Sequence, residues 1–257
     1  WSNKSLKKCY SSNKKNESFS SRKGIADKPM NCLWCKKPQK EVIQLRTLLT
    51  FTKIEPTVRC DSCSAKLVSL QIGPVCLGCS RYWSEDGLCP DCQKWKADYP
   101  NYPFKHTALY QYNDFIKEWI EAYKYAGDYR LGELYKKEIQ TFFYKQKKLI
   151  IPIPISYKSK QLRGFNQVEG LLEFAKVKYM PALIHCGTGE KQSSKDRKMR
   201  MLSPQPFKVA EIFQENIKGK SIILVDDIYT TGRTFFHAAD CLFENGAKSI
   251  ETFSISR

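Results

Sequence analysis

The sequence predicts an α/β fold with a mostly parallel sheet, preceded by a small cysteine-rich module, and three features carry that prediction. From His106 onward, short apolar runs alternate with stretches of helical periodicity. Eight of the eleven cysteines fall in four C-x-x-C pairs between Cys32 and Cys92. Near the C-terminus, Ser221 to Thr234 sets two acids and a threonine–glycine turn between an apolar run and a helix.

The chain divides at shifts in composition. Residues 1–29 are rich in Ser, Asn and Lys with almost no apolar periodicity, and read as a disordered basic tail or extension. Met30 directly precedes the first cysteine pair and is a candidate native start. Residues 30–103 hold every cysteine pair and few apolar runs, so metal has to supply folding energy that a core would otherwise provide. Pro100 and Pro103 mark the boundary to a domain over 104–257.

Within that domain the elements follow in order. Thr107 to Tyr112 reads as a strand and Asn113 as the cap of a helix on which Phe115, Ile116, Trp119, Ile120 and Tyr123 recur. Gly127 breaks it, and Leu131, Leu134, Tyr135, Ile139, Phe142 and Phe143 form a second amphipathic helix. Leu149 to Ile153 is a short strand, Val168 to Phe174 a helix segment, and Ala182 to His185 a strand. Ser221 to Val225 is a buried strand, Thr234 to Asn245 a helix closed by Gly246, and Ile250 to Ile255 a final strand.

The cysteine pairs are Cys32/Cys35, Cys60/Cys63, Cys76/Cys79 and Cys89/Cys92. A single such pair is shared with redox motifs. Four in tandem fit thiolates gripping tetrahedral zinc from tight turns, two pairs to a metal. Sequential pairing puts Cys32, Cys35, Cys60 and Cys63 on one zinc and Cys76, Cys79, Cys89 and Cys92 on another; spacing leaves a crossed arrangement open. Four thiolates leave no open coordination position, so the two zincs are structural. Lys36, Lys37, Lys40, Arg81, Tyr82, Trp83, Lys94, Trp95 and Lys96 interleave charge with aromatics. That mixture serves base stacking and phosphate attraction, or packs the module on its neighbour. Of the unpaired Cys9, Cys186 and Cys241, the last two read as small buried hydrophobes.

The loop after the Ser221 strand is the most specific stretch. Asp226 and Asp227 stand where open α/β sheets bind ligands, and adjacent carboxylates need hydroxyl donors or a cation. A diol or Mg²⁺ provides them. Thr230, Thr231, Gly232, Arg233 and Thr234 then open a helix, where free N–H groups, hydroxyls and the helix dipole make an anion site. Asp and Thr also cap ordinary helices, but the whole string is more specialised than a cap.

The string resembles the signature of type I phosphoribosyltransferases: four apolar residues, two acids, then T-T-G-x-T. In that family the acids hold the ribose hydroxyls of phosphoribosyl pyrophosphate and the loop holds its 5′-phosphate. The resemblance assigns Asp226 and Asp227 to the first role and Thr230, Thr231, Gly232, Arg233 and Thr234 to the second. The run IIPIPIS (150–156), followed by Arg163-Gly164-Phe165-Asn166-Gln167, lies after the tandem cysteine pairs and before VDDIYTTGRT. Together these look like the ComF family of competence proteins over roughly residues 31–257. Gln192 and Arg200 match that family's Q-x-x-L-x-x-x-x-R segment, with Lys195 in place of leucine. Arg163 and Arg200 are candidates to meet pyrophosphate.

The resemblance implies a cytoplasmic factor of natural transformation that handles incoming single-stranded DNA with a ComFA-type helicase as partner. Mg²⁺ would accompany a phosphoribosyl ligand. A net charge of +17, from 43 Lys and Arg against 26 Asp and Glu, independently suits a polyanion, since neutralising phosphates drives sequence-independent binding. Two other readings stand beside it: a salvage phosphoribosyltransferase, and a non-catalytic adaptor for a DNA helicase. No general base is identifiable, which does not exclude turnover, because positioning and charge stabilisation suffice for this chemistry. No apolar run reaches the roughly 18–20 residues that span a bilayer.

Overall fold

A computed structural model describes residues 31–39, 57–99, 105–186 and 205–257. The strands are β1 (His106–Tyr110), β2 (Leu149–Pro152), β3 (Leu183–His185), β4 (Phe207–Val209), β5 (Ser221–Ile228) and β6 (Ser249–Ser256). The helices are α1 (Asp61–Ser64), α2 (Pro90–Asp98), α3 (Asp114–Ile120), α4 (Lys136–Phe143), α5 (Tyr157–Arg163), α6 (Gln167–Phe174), α7 (Gln214–Ile217) and α8 (Arg233–Glu244).

Four strands form one sheet in the order β1-β6-β5-β2, every pair parallel, as the sequence predicts. β5 is apolar on both faces because both are covered. Ile222 and Leu224 enter one core with Phe235, Ala238, Ala239 and Leu242 of α8. Ile223 and Val225 enter the other, with Trp119, Ile139 and Leu171 from α3, α4 and α6. β3 and β4 form a separate antiparallel pair.

Two expectations change in detail, and α5 is a helix that the sequence does not announce. The stretch expected as one long helix after Gly127 is a 3₁₀ segment, Tyr129–Tyr135, running into α4. A period near three stacks Leu131 over Leu134 on one face, and Gly132 lets the chain press against Tyr123 and Phe174. α5 has no buried residue, so it shows no apolar stripe; Ser156 caps it by accepting from the Ser159 N–H (3.2 Å), and Gly164 closes it at φ 83°. Cys241 is buried as expected, but Cys186 is exposed, because it lies just past β3 at the end of a two-stranded ribbon.

The cysteine-rich segment is built twice on one plan. Cys32 and Cys76 each open a knuckle in which their carbonyls accept from the N–H of Lys36 (2.9 Å) and Ser80 (3.0 Å). Both of those residues take a left-handed backbone, φ 62° and 58°. Each knuckle then meets a short helix, α1 or α2, whose preceding cap residue is the cysteine Cys60 or Cys89. Residues 68–70 pair with β1 through Leu70 N–H to Leu109 O (2.9 Å) and Gln111 N–H to Val68 O (2.8 Å). The segment therefore covers a sheet edge that would otherwise present unpaired backbone.

Candidate functional site

Two sites emerge, one of thiols and one at the C-terminal edge of the sheet. Cys32, Cys35, Cys60 and Cys63 bring their sulfurs within 4.8 Å of one another, and so do Cys76, Cys79, Cys89 and Cys92. The sequential grouping is therefore the one the fold makes. Sulfur separations of 3.9 Å (Cys32–Cys63), 3.6 Å (Cys35–Cys60) and 3.7 Å (Cys79–Cys89) suit a tetrahedral metal. With metal–sulfur bonds of about 2.3 Å, the edge of such a tetrahedron is about 3.8 Å. Backbone N–H groups also point at the sulfurs: Cys89 N–H at 3.1 Å and Gly78 N–H at 3.4 Å from Cys76 Sγ. Both clusters can thus hold a metal ion.

β5 runs three residues past Val225, so Asp226 and Asp227 project beyond the end of β2, whose Pro152 pairs with Val225. Both acids are buried, at 9% and 2% exposure. Asp226 accepts from the Asp227 N–H (2.8 Å) and Asp227 from the Ile228 N–H (2.9 Å). Burial, and then the charge of Asp227, push the Asp226 carboxyl well above its usual range. The other Asp227 oxygen forms an ion pair with the Lys124 ammonium. Burial works against the charge on Lys124, but Asp227 and Asp226 outweigh it and its pKa is raised.

Sequence reasoning missed Lys124. It sits between Tyr123 and Tyr125 in a run read as a core helix, and no spacing marks it. The structure turns Glu121–Tyr125 as a π-helical segment continuing α3, and insertions of that kind recur at functional sites. Arg163 donates to the Lys124 carbonyl (2.9 Å) and to Gln167, so it braces the turn that carries the lysine. Asn166 caps α6 and donates to Ile153 O (3.1 Å), and Phe165 packs on Tyr123 and Tyr129. Gln192, Lys195 and Arg200 lie outside the described residues, as does Lys40.

Beyond the acids, the loop turns at Gly232 (φ 83°), the cap residue of α8. A methyl group there would lie 2.2 Å from the Tyr229 hydroxyl, so the close approach needs glycine. Thr230, Thr231 and Thr234 are exposed, whereas Arg233 is buried and its charge acts on Tyr99 and His237. Arg233 therefore offers the loop its backbone while its side chain lies along α8. Among the described residues no acceptor faces the N–H groups of Thr230, Thr231 or Gly232. Such a row at a helix start is a ready anion nest.

The loop carbonyls are held from outside. Trp95 of α2 donates its indole N–H to Thr231 O (3.1 Å) and stacks on Phe236 of α8 (3.9 Å between centroids). Arg257 donates to Thr230 O (2.8 Å) and to Cys79 Sγ (3.4 Å), with its guanidinium over the Tyr229 ring. Trp95 is thus a packing residue, Trp83 is partly buried against the core that holds Phe235 and Leu242, and Tyr82 stays 62% exposed. Beneath Tyr229, buried His106 bridges Thr252 (2.9 Å) and Ser254 (3.0 Å), and desolvation holds its pKa well below the usual histidine value.

No protein-family model matches the chain. Competence protein ComFC of Bacillus subtilis (strain 168) is 32% identical over 233 residues, 88% of this chain and 94% of that protein. Competence protein ComFC of Streptococcus pneumoniae is 32% identical over 231 residues, 89% of this chain and all of that protein. DNA utilization protein YhgH of Shigella flexneri is 27% identical over 118 residues, 42% of this chain and 48% of that protein. Among solved structures, a hypoxanthine phosphoribosyltransferase of Staphylococcus aureus aligns at TM-score 0.27 and 19% identity, covering 47% of this chain and 60% of that one. Glutamine phosphoribosylpyrophosphate amidotransferase of B. subtilis aligns at TM-score 0.31 and 18% identity, over 48% of this chain and 26% of that one. Among the described residues, no helix is long and apolar enough to cross a membrane.

Proposed function

The chain belongs to the ComFC family of competence proteins, and from that premise we propose that it serves DNA uptake, handling incoming single-stranded DNA in the cytoplasm and binding a phosphoribosyl group after β5. One observation supports the site above the rest: a buried acid pair adjoins N–H groups that have no acceptor among the described residues. Asp226 and Asp227 accept hydroxyls of a ribose, and the backbone of Thr230, Thr231 and Gly232, with the Thr230, Thr231 and Thr234 hydroxyls, holds its 5′-phosphate. The Arg233 backbone completes the cradle. Phosphoribosyl pyrophosphate and a terminal 5-phosphoribose of DNA share that chemistry. Arg163 and Arg200 are the candidate pyrophosphate partners, and Mg²⁺ enters with a pyrophosphate-bearing ligand.

The metal in the two thiol clusters is zinc on this reading. Its chemistry is that of a cross-link: four sulfurs from distant parts of the segment are tied with no position left for a reactant. A ComFA-type helicase is the protein partner.

Calorimetric titration with phosphoribosyl pyrophosphate and with ribose 5-phosphate tests the site. Both should bind, and Asp226→Asn with Asp227→Asn should abolish it. Absence of binding for either ligand would remove the phosphoribosyl reading. Pyrophosphate release with a free base present would instead identify a salvage enzyme.

A further inference from the structure

At the opposite end of the sheet, each parallel strand is preceded by a lysine: Lys105 before β1, Lys148 before β2, Lys220 before β5 and Lys248 before β6. Lys105 (2.7 Å) and Lys148 (2.5 Å) both pair with Glu251. This edge also carries two clefts, of 580 and 570 Å³, which share Gln140 and Tyr144. Tyr144 is 84% exposed and stands between them. Lys147, Lys148, Lys176 and Lys178 line the larger cleft, Lys145 the smaller, and no acid lines either among the described residues.

Part of this charge has a local purpose. α4 ends at Phe143, just before β2, and α6 ends at Phe174, with Met180 N–H bonded to Ile150 O (2.8 Å). Cations near helix C-termini offset the negative end of the dipole. That effect explains a lysine or two. It does not explain a large aromatic ring held in water between two clefts, where burying it would gain free energy. Of the lysines lining the clefts only Lys148 meets an acid among the described residues, and an exposed ring flanked by such cations is the arrangement that takes stacked bases and a phosphate backbone.

We propose that this edge is a docking surface for single-stranded DNA, with a base on Tyr144 and phosphates along Lys147, Lys176 and Lys178. The choice of DNA rests on the uptake reading above; the location does not. Asp226 lies six residue steps along β5 from Lys220, roughly 20 Å of extended chain. A strand bound here leaves the phosphoribosyl loop open, so one protein holds the polymer at one end of its sheet and a sugar phosphate at the other.

Fluorescence anisotropy with an oligothymidylate of about 20 nucleotides tests this across a salt series. The full chain is compared with Tyr144→Ala, with Lys147→Gln/Lys176→Gln/Lys178→Gln, and with a control triple on other exposed lysines, Lys117→Gln/Lys158→Gln/Lys160→Gln. The groove triple should flatten the slope of log K against log salt by about 2, since each single-strand phosphate contributes about 0.7. Tyr144→Ala should weaken binding about tenfold with the slope unchanged. Equal losses in the two triples, or none in either groove variant, would overturn the location while leaving DNA handling intact. No binding by the unaltered chain would sink both. Groove-dependent binding of phosphatidylserine vesicles, with oligonucleotide affinity unaffected, would identify a lipid surface instead.

Discussion

Lys124 pairs with Asp227 while Asp227 in turn repels the charge on Asp226, a conflict that the hydroxyls of the proposed ribose ligand would relieve. Asp226 is buried beside Asp227, and its pKa is raised for both reasons. A raised carboxyl pKa means the folded chain binds a proton that the unfolded chain has released. Stability then falls as pH rises from the unfolded pKa through the folded one. Asp226→Asn removes that cost and should raise stability at neutral pH by about 1 kcal/mol, read from denaturant midpoints, while destroying ribose binding. Ribose affinity of the unaltered chain should increase with pH over the same window, because the diol needs a carboxylate acceptor. A flat pH profile would contradict this. Lys124→Met acts oppositely. It strands Asp227 at 3% side-chain exposure and should cost about 3 kcal/mol, most of it recovered in the double variant with Asp227→Asn.

At the scale of elements, legibility in the sequence tracks burial. β5 could be read as an unbroken apolar run buried on both faces, and α8 because its apolar residues recur at helical spacing. Asn113 could be read as a cap, and its side chain accepts from the Ile116 N–H (3.0 Å). α5 could not, since no residue of it is buried, and β4 is only three residues long. Lys124 escaped because the π-helical turn shifts the register set by Trp119 and Tyr123, turning a lysine inward where periodicity places it outside. The roles of Trp95 and Arg257 are tertiary and leave no local mark. One indole N–H reaches a loop 136 residues away. Trp95→Phe keeps the stack on Phe236 and deletes only that donor. It should cost about 1 kcal/mol of stability and loosen phosphate binding several-fold. Unchanged phosphate affinity would show that the loop holds its shape without α2.

For the whole molecule, the two thiol clusters have different neighbours and should fail differently. The first packs on Phe115 of α3, with Arg59 bonded to Leu134 O (2.6 Å) and paired with Glu138 of α4. None of those contacts reaches the loop. The second is continuous with the core beneath α8, and its Cys79 and α2 meet the two residues that fix the Thr230 and Thr231 carbonyls. Structural zinc contributes about 10–16 kcal/mol of apparent binding free energy in isolated fingers, more than a typical domain's margin of stability, so losing one ion unfolds the turns around it. Atomic emission on the full chain should find two metal ions. Cys60→Ser should lower that count and the melting temperature, yet leave ribose 5-phosphate affinity near its original value. Cys89→Ser should lower the count equally and weaken that affinity at least tenfold, because the indole and guanidinium that hold the loop lose their support. If both substitutions weakened ribose 5-phosphate equally, the loop would depend on global stability alone, and the path from Cys79 through Arg257 to Thr230 would carry nothing.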